Sequence, residues 1–280
     1  MLHLVPDSRS RVSPARFWND SGLNVSVLGT FGFSAADGSR PSLSGGSQRI
    51  LAYLALRTDP VSRASTAATL WPEATEDRAC SSLRSALARL GSTTKDAIAL
   101  TDGDLKLADD VRVDIRASQG VARSLLDPDV APAVSKLGAA AITVLSRDLL
   151  PDWYDEWVVP EAEEWRQLRL HALEALSDLL TIEGRFAHAM GAALAALRVE
   201  PLRESANAAV IRVHLAEGNQ ADALREFRRY RSLLQRELGV EPTLALFELV
   251  GVAPSASRRG ADTRADGSKW AEVRVARRRR

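Results

Sequence analysis

Cysteine is nearly absent from this chain. Cys80 stands alone, which excludes an internal disulfide and any zinc site built on several thiolates. Long apolar runs are missing too. The most hydrophobic stretch, LGAAAITVL at Leu137–Leu145, is too short to span a bilayer, and the opening MLHLVPDSRSRVSPARFW is not apolar enough for a signal peptide. A cytoplasmic protein without a membrane partner is therefore expected. No charge of one sign dominates, since 37 Lys and Arg face 36 Asp and Glu. Gly45-Gly46 is followed by no Lys-Ser or Lys-Thr at phosphate-loop spacing. His171, His188 and His214 fall on separate predicted helices without metal-ligand spacing, and Asp152, Asp155 and Glu156 lack a Ser, Cys or His partner pattern. No enzyme, cofactor or metal is expected.

What is present is a 280-residue chain, 45% hydrophobic and 26% charged, long enough for two ordinary domains. Its abundant Ala, Leu and Arg favour helix. Charge is unevenly spread: residues 253–280 carry nine basic and three acidic side chains, so the rest of the chain is mildly acidic.

Residues 1–21 show no periodicity and read as a disordered leader. Leu23, Val25 and Val27 then alternate with polar residues, and Phe31 and Phe33 keep the two-residue period after Gly29. Asp37-Gly38 offers a turn, and Pro41 closes a second short strand region. A helical period takes over at Gln48–Arg57, after the flexible pair Gly45 and Gly46. Ser62 can cap the next helix, Arg63–Trp71, which Pro72 stops. The third helix, Asp77–Leu90, has two faces. Ala79, Leu83, Ala86, Leu87 and Leu90 share one; Arg78, Ser81, Arg84, Ser85 and Arg89 share the other. After Gly91, Ile98 and Leu100 alternate before Asp102-Gly103, and Leu105 and Leu107 after it, which predicts a hairpin with a type I′ turn.

Strands, three helices and a hairpin are the order of a winged helix, whose third helix enters the major groove while the wing lies on the backbone. Arg84 and Arg89 are candidates for base or phosphate contact, Ser81 and Ser85 for close approach to the groove, Arg78 for phosphate, and Lys106 for the wing. The competing reading is a solvated amphipathic helix.

From Val113-Asp114-Ile115 the chain reads as helical, interrupted at Asp127-Pro128 and near Pro132. Trp153 and Trp157 are expected as packing anchors in an aromatic connection, Leu149–Pro160. Glu183-Gly184 with Ala187 and Ala189 recurs as Glu217-Gly218 with Ala221 and Ala223, a 34-residue period. That is the period of tetratricopeptide helix pairs. In Ala221–Leu238, Leu224, Phe227, Leu234 and Leu238 form the expected packing stripe, with Arg225, Arg228, Arg229 and Arg236 on a solvated face. A last helix, Thr243–Val250, is expected to cap the stack. The boundaries read as leader 1–21, winged helix 22–117, helical repeats 118–251 and disordered basic tail 252–280; the fold class is mostly α with a small β part.

The motifs LLPDWYDEWVVPEAEEWRQLRL and YRSLLQRELGVEPTLAL resemble the opening and closing motifs of the bacterial transcriptional activator domain family. SQRILAYLAL, TLWPEA and SLRSALARL followed by DVRVDI resemble the winged helix that accompanies it, as in actinobacterial antibiotic regulatory proteins. The resemblance implies an activator that binds repeated sites in double-stranded promoter DNA, as a homodimer at least on DNA, and engages RNA polymerase. By resemblance to winged helices of the OmpR type, Glu73 and Glu76 face a polymerase subunit; otherwise they complement the helix dipole. The chain departs from the family in lacking basic residues just after the third helix, and Asp102 and Asp104 sit at the wing tip. Between Leu23 and Ala117, eleven basic side chains meet eleven acidic ones. Low affinity from one copy is expected. The alternative is a repeat-based interaction module whose winged helix is a docking surface without sequence-specific DNA binding.

Overall fold

A computed structural model describes residues 22–131 and 138–252. The leader expected over 1–21, the interruption at Pro132 and nearly all of the tail expected over 252–280 lie outside the described residues.

Alternation builds the first sheet. Val25 and Phe33 point inward from β1 (Asn24–Ser26) and β2 (Gly32–Ser34), which run antiparallel with these two residues opposed. The reversal between them lies at Gly29, in the left-handed region at φ 80°, rather than at Asp37-Gly38. That second turn does form, closed by the Asp37 carboxylate accepting from Ser39 N, but residues 39–44 add no strand.

Helix α1 (Gly45–Ala55) starts three residues earlier than its apolar period suggests. Ser44 caps it, so both glycines belong to its first turn. Gly46 is there for contact: a Cβ on it would stand 3.2 Å from that of Ala86, and Ser47 Oγ donates to Ala86 O at 3.1 Å. Ser62 caps α2 (Arg63–Leu70) as expected. The third helix, α3 (Glu76–Ala88), is followed by one short turn, α4 (Ser92–Lys95), absent from the sequence reading. The hairpin β3 (Ile98–Thr101) and β4 (Asp104–Leu107) closes through Asp102 at φ 50° and Gly103 at φ 90°, the positive pair a type I′ turn requires. Val61 and Leu105 exchange both backbone bonds, at 2.9 and 2.8 Å, which fixes the wing against the start of α2.

Two further residues, β5 (Arg112–Val113), pair parallel with β1 and complete the sheet order β2-β1-β5. Helix α5 (Asp114–Leu126) follows at once. Then come α6 (Ala139–Leu145), α7 (Val158–Ile182), α8 (Phe186–Val199), α9 (Glu204–Ala216), α10 (Gln220–Leu238) and α11 (Leu244–Leu249). The 34-residue period is physical. Gly184 and Gly218 both take positive φ, 72° and 87°, after α7 and α9, and Ala189 and Ala223 are both fully buried. Arg166 with Glu200 (2.9 Å) and Asp178 with Arg212 (3.0 Å) join residues one period apart. In α10, Phe227 and Leu234 are buried and Leu224 is half-buried, but Leu238 is 58% exposed at the helix end. Tyr230 takes the deeper place, donating to Leu202 O at 3.2 Å. Three of the four arginines of the outer face, Arg225, Arg229 and Arg236, pair with Asp222, Glu226 and Glu237.

The halves share one core, which runs without a break from Leu23 to Val213. Asp114 is its hinge. Its buried carboxylate accepts from Val27 N (2.8 Å), Leu28 N (3.1 Å) and Ile115 N (2.8 Å). Burial raises its pKa above the usual carboxylate value, against the opposing pull of these amides and of Arg147. Arg116 donates to the carbonyls of Ala55 (3.2 Å), Leu54 (3.3 Å) and Arg57 (2.6 Å), satisfying the free C-terminal end of α1 with a cation. Arg49 pairs with Asp155 and Arg57 with Glu161. Trp157 meets Tyr53 edge-on at 5.4 Å, and Trp153 meets Phe31 at 5.7 Å, so both tryptophans are anchors between the halves.

Asp114→Asn keeps one acceptor oxygen and turns an amide donor toward a backbone N–H. A loss of about 1–3 kcal/mol is expected, read as a lower Tm by circular dichroism. Burial, with Glu204 adding a smaller push, raises the Tyr230 phenol to about 12. The stability that its neutral form contributes is complete below the usual tyrosine value of about 10 and is lost as pH rises through about 12. A phenolate absorbance titration should therefore contain a late step that Tyr230→Phe abolishes.

Candidate nucleic-acid interface

The sequence of α3 sorts its side chains by face, and the fold keeps them so. Ala79, Leu83 and Ala86 are buried under α1 and α2. Arg78, Ser81, Arg84, Ser85 and Arg89 are all exposed. At about 100° per residue, Ser81 and Arg84 lie opposite the buried stripe, with Ser85 beside them. Arg78 and Arg89 share one flank, about 16 Å apart along the axis. None of the three guanidiniums makes a hydrogen bond or ion pair with a described residue. Short hydroxyls between unpaired forks leave this face low enough to enter a groove and charged enough to meet phosphate or a guanine edge.

Glu73 and Glu76 are exposed just before and at the start of α3. Thr75 occupies the cap position without a side-chain bond, and Glu76 and Asp77 fill the first turn. Their charge complements the helix dipole there.

The wing is less favourable. Lys106 pairs with Asp109 at 2.7 Å, which holds the Asp109 carboxyl below its ordinary pKa and spends the cation. Asp102 is exposed and Asp104 half-buried at the tip. Leu100, which alternation places with the core residues, is instead 61% exposed because the wing extends past the core.

Two cations escaped the sequence reading. Arg63, the first residue of α2, and Lys95, on α4, are exposed and unpaired among the described residues. Arg63 follows Val61 by two residues, so the Val61–Leu105 pairing sets it next to the wing. The signal was available: Arg63 directly follows a capping serine, where a cation gains nothing from the helix dipole. Among the described residues, no cluster of three or more His, Cys, Asp or Glu could hold a metal ion, and no helix is long and apolar enough to cross a membrane.

A three-helix unit with an exposed arginine and serine face and a strand-backed wing, joined to stacked helix pairs, defines a winged helix with a helical-repeat partner. The bacterial transcriptional activator domain model matches residues 110–251, and the chain belongs to that family of transcriptional regulators. A curated relative, the regulatory protein AfsR of Streptomyces coelicolor, is 28% identical over 88% of this chain. The chain spans about a quarter of that relative's length, 25%. Among solved structures, Mycobacterium tuberculosis EmbR, in complex with a low-affinity phosphopeptide, superposes with a TM-score of 0.64. It is 22% identical, and the match covers 82% of this chain and 64% of EmbR. This likeness bears on the fold, an N-terminal winged helix followed by helical repeats.

α3 meets α1 at Ala86 and Gly46. Gly46→Val would drive branched carbons into Ala86 and Trp71, the latter 3.6 Å from an added Cβ. Overpacking of this kind costs roughly 1–3 kcal/mol. Urea denaturation should show the lower midpoint.

Proposed function

We propose that this protein is a cytoplasmic, DNA-binding transcriptional regulator that activates promoters carrying direct repeats. Residues 22–117 read the DNA, and the repeats at 118–251 hold the protomers and the transcription machinery. The observation that carries this is the exposed, unpaired Arg78, Arg84 and Arg89 on the third helix, ahead of a wing. In this reading α3 lies in the major groove: Arg84 and Arg89 meet bases or phosphates, Ser81 and Ser85 allow close approach, and Arg78 meets phosphate. Arg63 and Lys95 add backbone contacts. Glu73 and Glu76 face a basic surface of RNA polymerase.

Charge sets the stoichiometry. A winged helix with no net charge, whose wing lysine is already paired, releases few counterions per copy. Two protomers side by side on a direct repeat double that number, so the protein binds as a homodimer at least on DNA.

Arg84→Ala should weaken promoter binding in a mobility-shift assay by about tenfold or more, the equivalent of one lost guanine contact, and leave the circular dichroism melt unchanged. Undiminished binding would remove Arg84 from the interface. Glu73→Lys should lower transcription in a reconstituted assay while the DNA shift stays intact; normal transcription would return Glu73 to the dipole role.

The neutral charge and the Lys106–Asp109 pair favour one rival, a docking module without sequence-specific DNA binding. A salt series separates the two. The regulator loses promoter affinity with a log–log slope of about −0.9 per phosphate contact, whereas the docking module prefers no sequence at any salt.

A further inference from the structure

One concavity of the molecule lies away from α3. It is a groove of about 790 Å³ over the outer face of the β2-β1-β5 sheet. We propose that this groove binds a small anion bearing phosphate groups, a metabolite of the phosphorylated class, independently of DNA.

The floor is small and polar because the sheet alternates. Val25 and Phe33 face the core, which leaves Ser26 and Ser34 on the outer side. Gly32 keeps that floor low, opposite Ser26. Gln48, from α1, closes one wall; its amide nitrogen donates to Leu43 O at 3.0 Å, leaving its oxygen for a ligand or water.

Charge selects the ligand. Arg40 and Arg147 line the groove, together with Arg112, which has an interaction of its own, and one carboxylate, Asp114. That carboxylate is committed to three backbone amides. Arg147 is half-buried, and neither it nor the exposed Arg40 has a hydrogen-bond or ion-pair partner among the described residues. Arg147 already feels the Asp114 carboxylate across the groove, but its fork makes no hydrogen bond with a described residue and can offer one to a ligand. Planar forks suit the paired oxygens of a phosphate. The concave shape suits a small molecule better than a duplex.

Location gives the binding a consequence. Arg40 belongs to the winged-helix half and Arg147 to the repeat half. The Arg147 carbonyl accepts from Trp165 Nε1 at 2.8 Å, and the next carbonyl, of Asp148, accepts from Gly29 N at 2.7 Å. A ligand held by both arginines therefore bridges the two halves at their seam and tightens it.

The test is a thermal melt of the full chain with pyrophosphate as the probe, against sodium chloride at equal ionic strength. Pyrophosphate should raise Tm saturably, by roughly 3 °C or more at about ten times its Kd. Arg147→Ala and Arg40→Ala should each weaken that Kd at least tenfold by titration calorimetry. Arg84→Ala, on the recognition helix, should bind pyrophosphate as the wild type does. No saturable rise with pyrophosphate would overturn the proposal. So would an unchanged Kd in both Arg147→Ala and Arg40→Ala, or a Kd lost in Arg84→Ala. Should Arg147→Ala fail to fold, the exposed Arg40→Ala decides alone.

Discussion

One buried carboxylate organises this molecule. Asp114 directly follows the last strand of the sheet and begins the first helix of the repeats, and its oxygens are held by amides from both sides of that boundary. Two residues later Arg116 closes the C-terminal end of α1. A one-turn stretch of chain thus fixes α1 to both the sheet and the repeats, and α1 carries α3 through the Gly46–Ala86 contact. The exposed face of α3 has a defined orientation because this seam is built from hydrogen bonds with little freedom. The aromatic cluster of Phe31, Tyr53, Trp153 and Trp157 adds buried area to it. The two bridging ion pairs are partly exposed and contribute less.

The repeats solve a different problem. A helix pair cannot bury its apolar face alone, so stacking supplies the core. Small alanines at repeat-equivalent sites allow close packing, and the ion pairs one period apart fix the register between neighbours. On α10 the cations are mostly matched by acids at the surface. On α3 they are not.

Much of this was legible in the sequence, wherever the cause is local. The two faces of α3 follow from 3.6-residue periodicity, the wing turn from Asp-Gly, the repeats from two glycines 34 residues apart, and the α2 start from Ser62. What could not be read depends on contacts distant in sequence. Two residues of β5 carry no alternation, and Val61 is a single pairing residue after a proline. Gly45 and Gly46 look like a linker until Ala86, forty residues on, explains them. The role of Asp114 needs amides 86 and 87 residues away. The Lys106–Asp109 pair, three residues apart, and Arg63, directly after its capping serine, were within reach of a local reading.

The central claim is that the winged helix and the repeats are one cooperative body joined at Asp114. Native-state hydrogen exchange with increasing denaturant tests it directly, by following peptides from α1 and from α7. Both should lose protection at the same denaturant concentration, in one global opening. Loss of α1 protection in a separate, earlier transition would contradict the account.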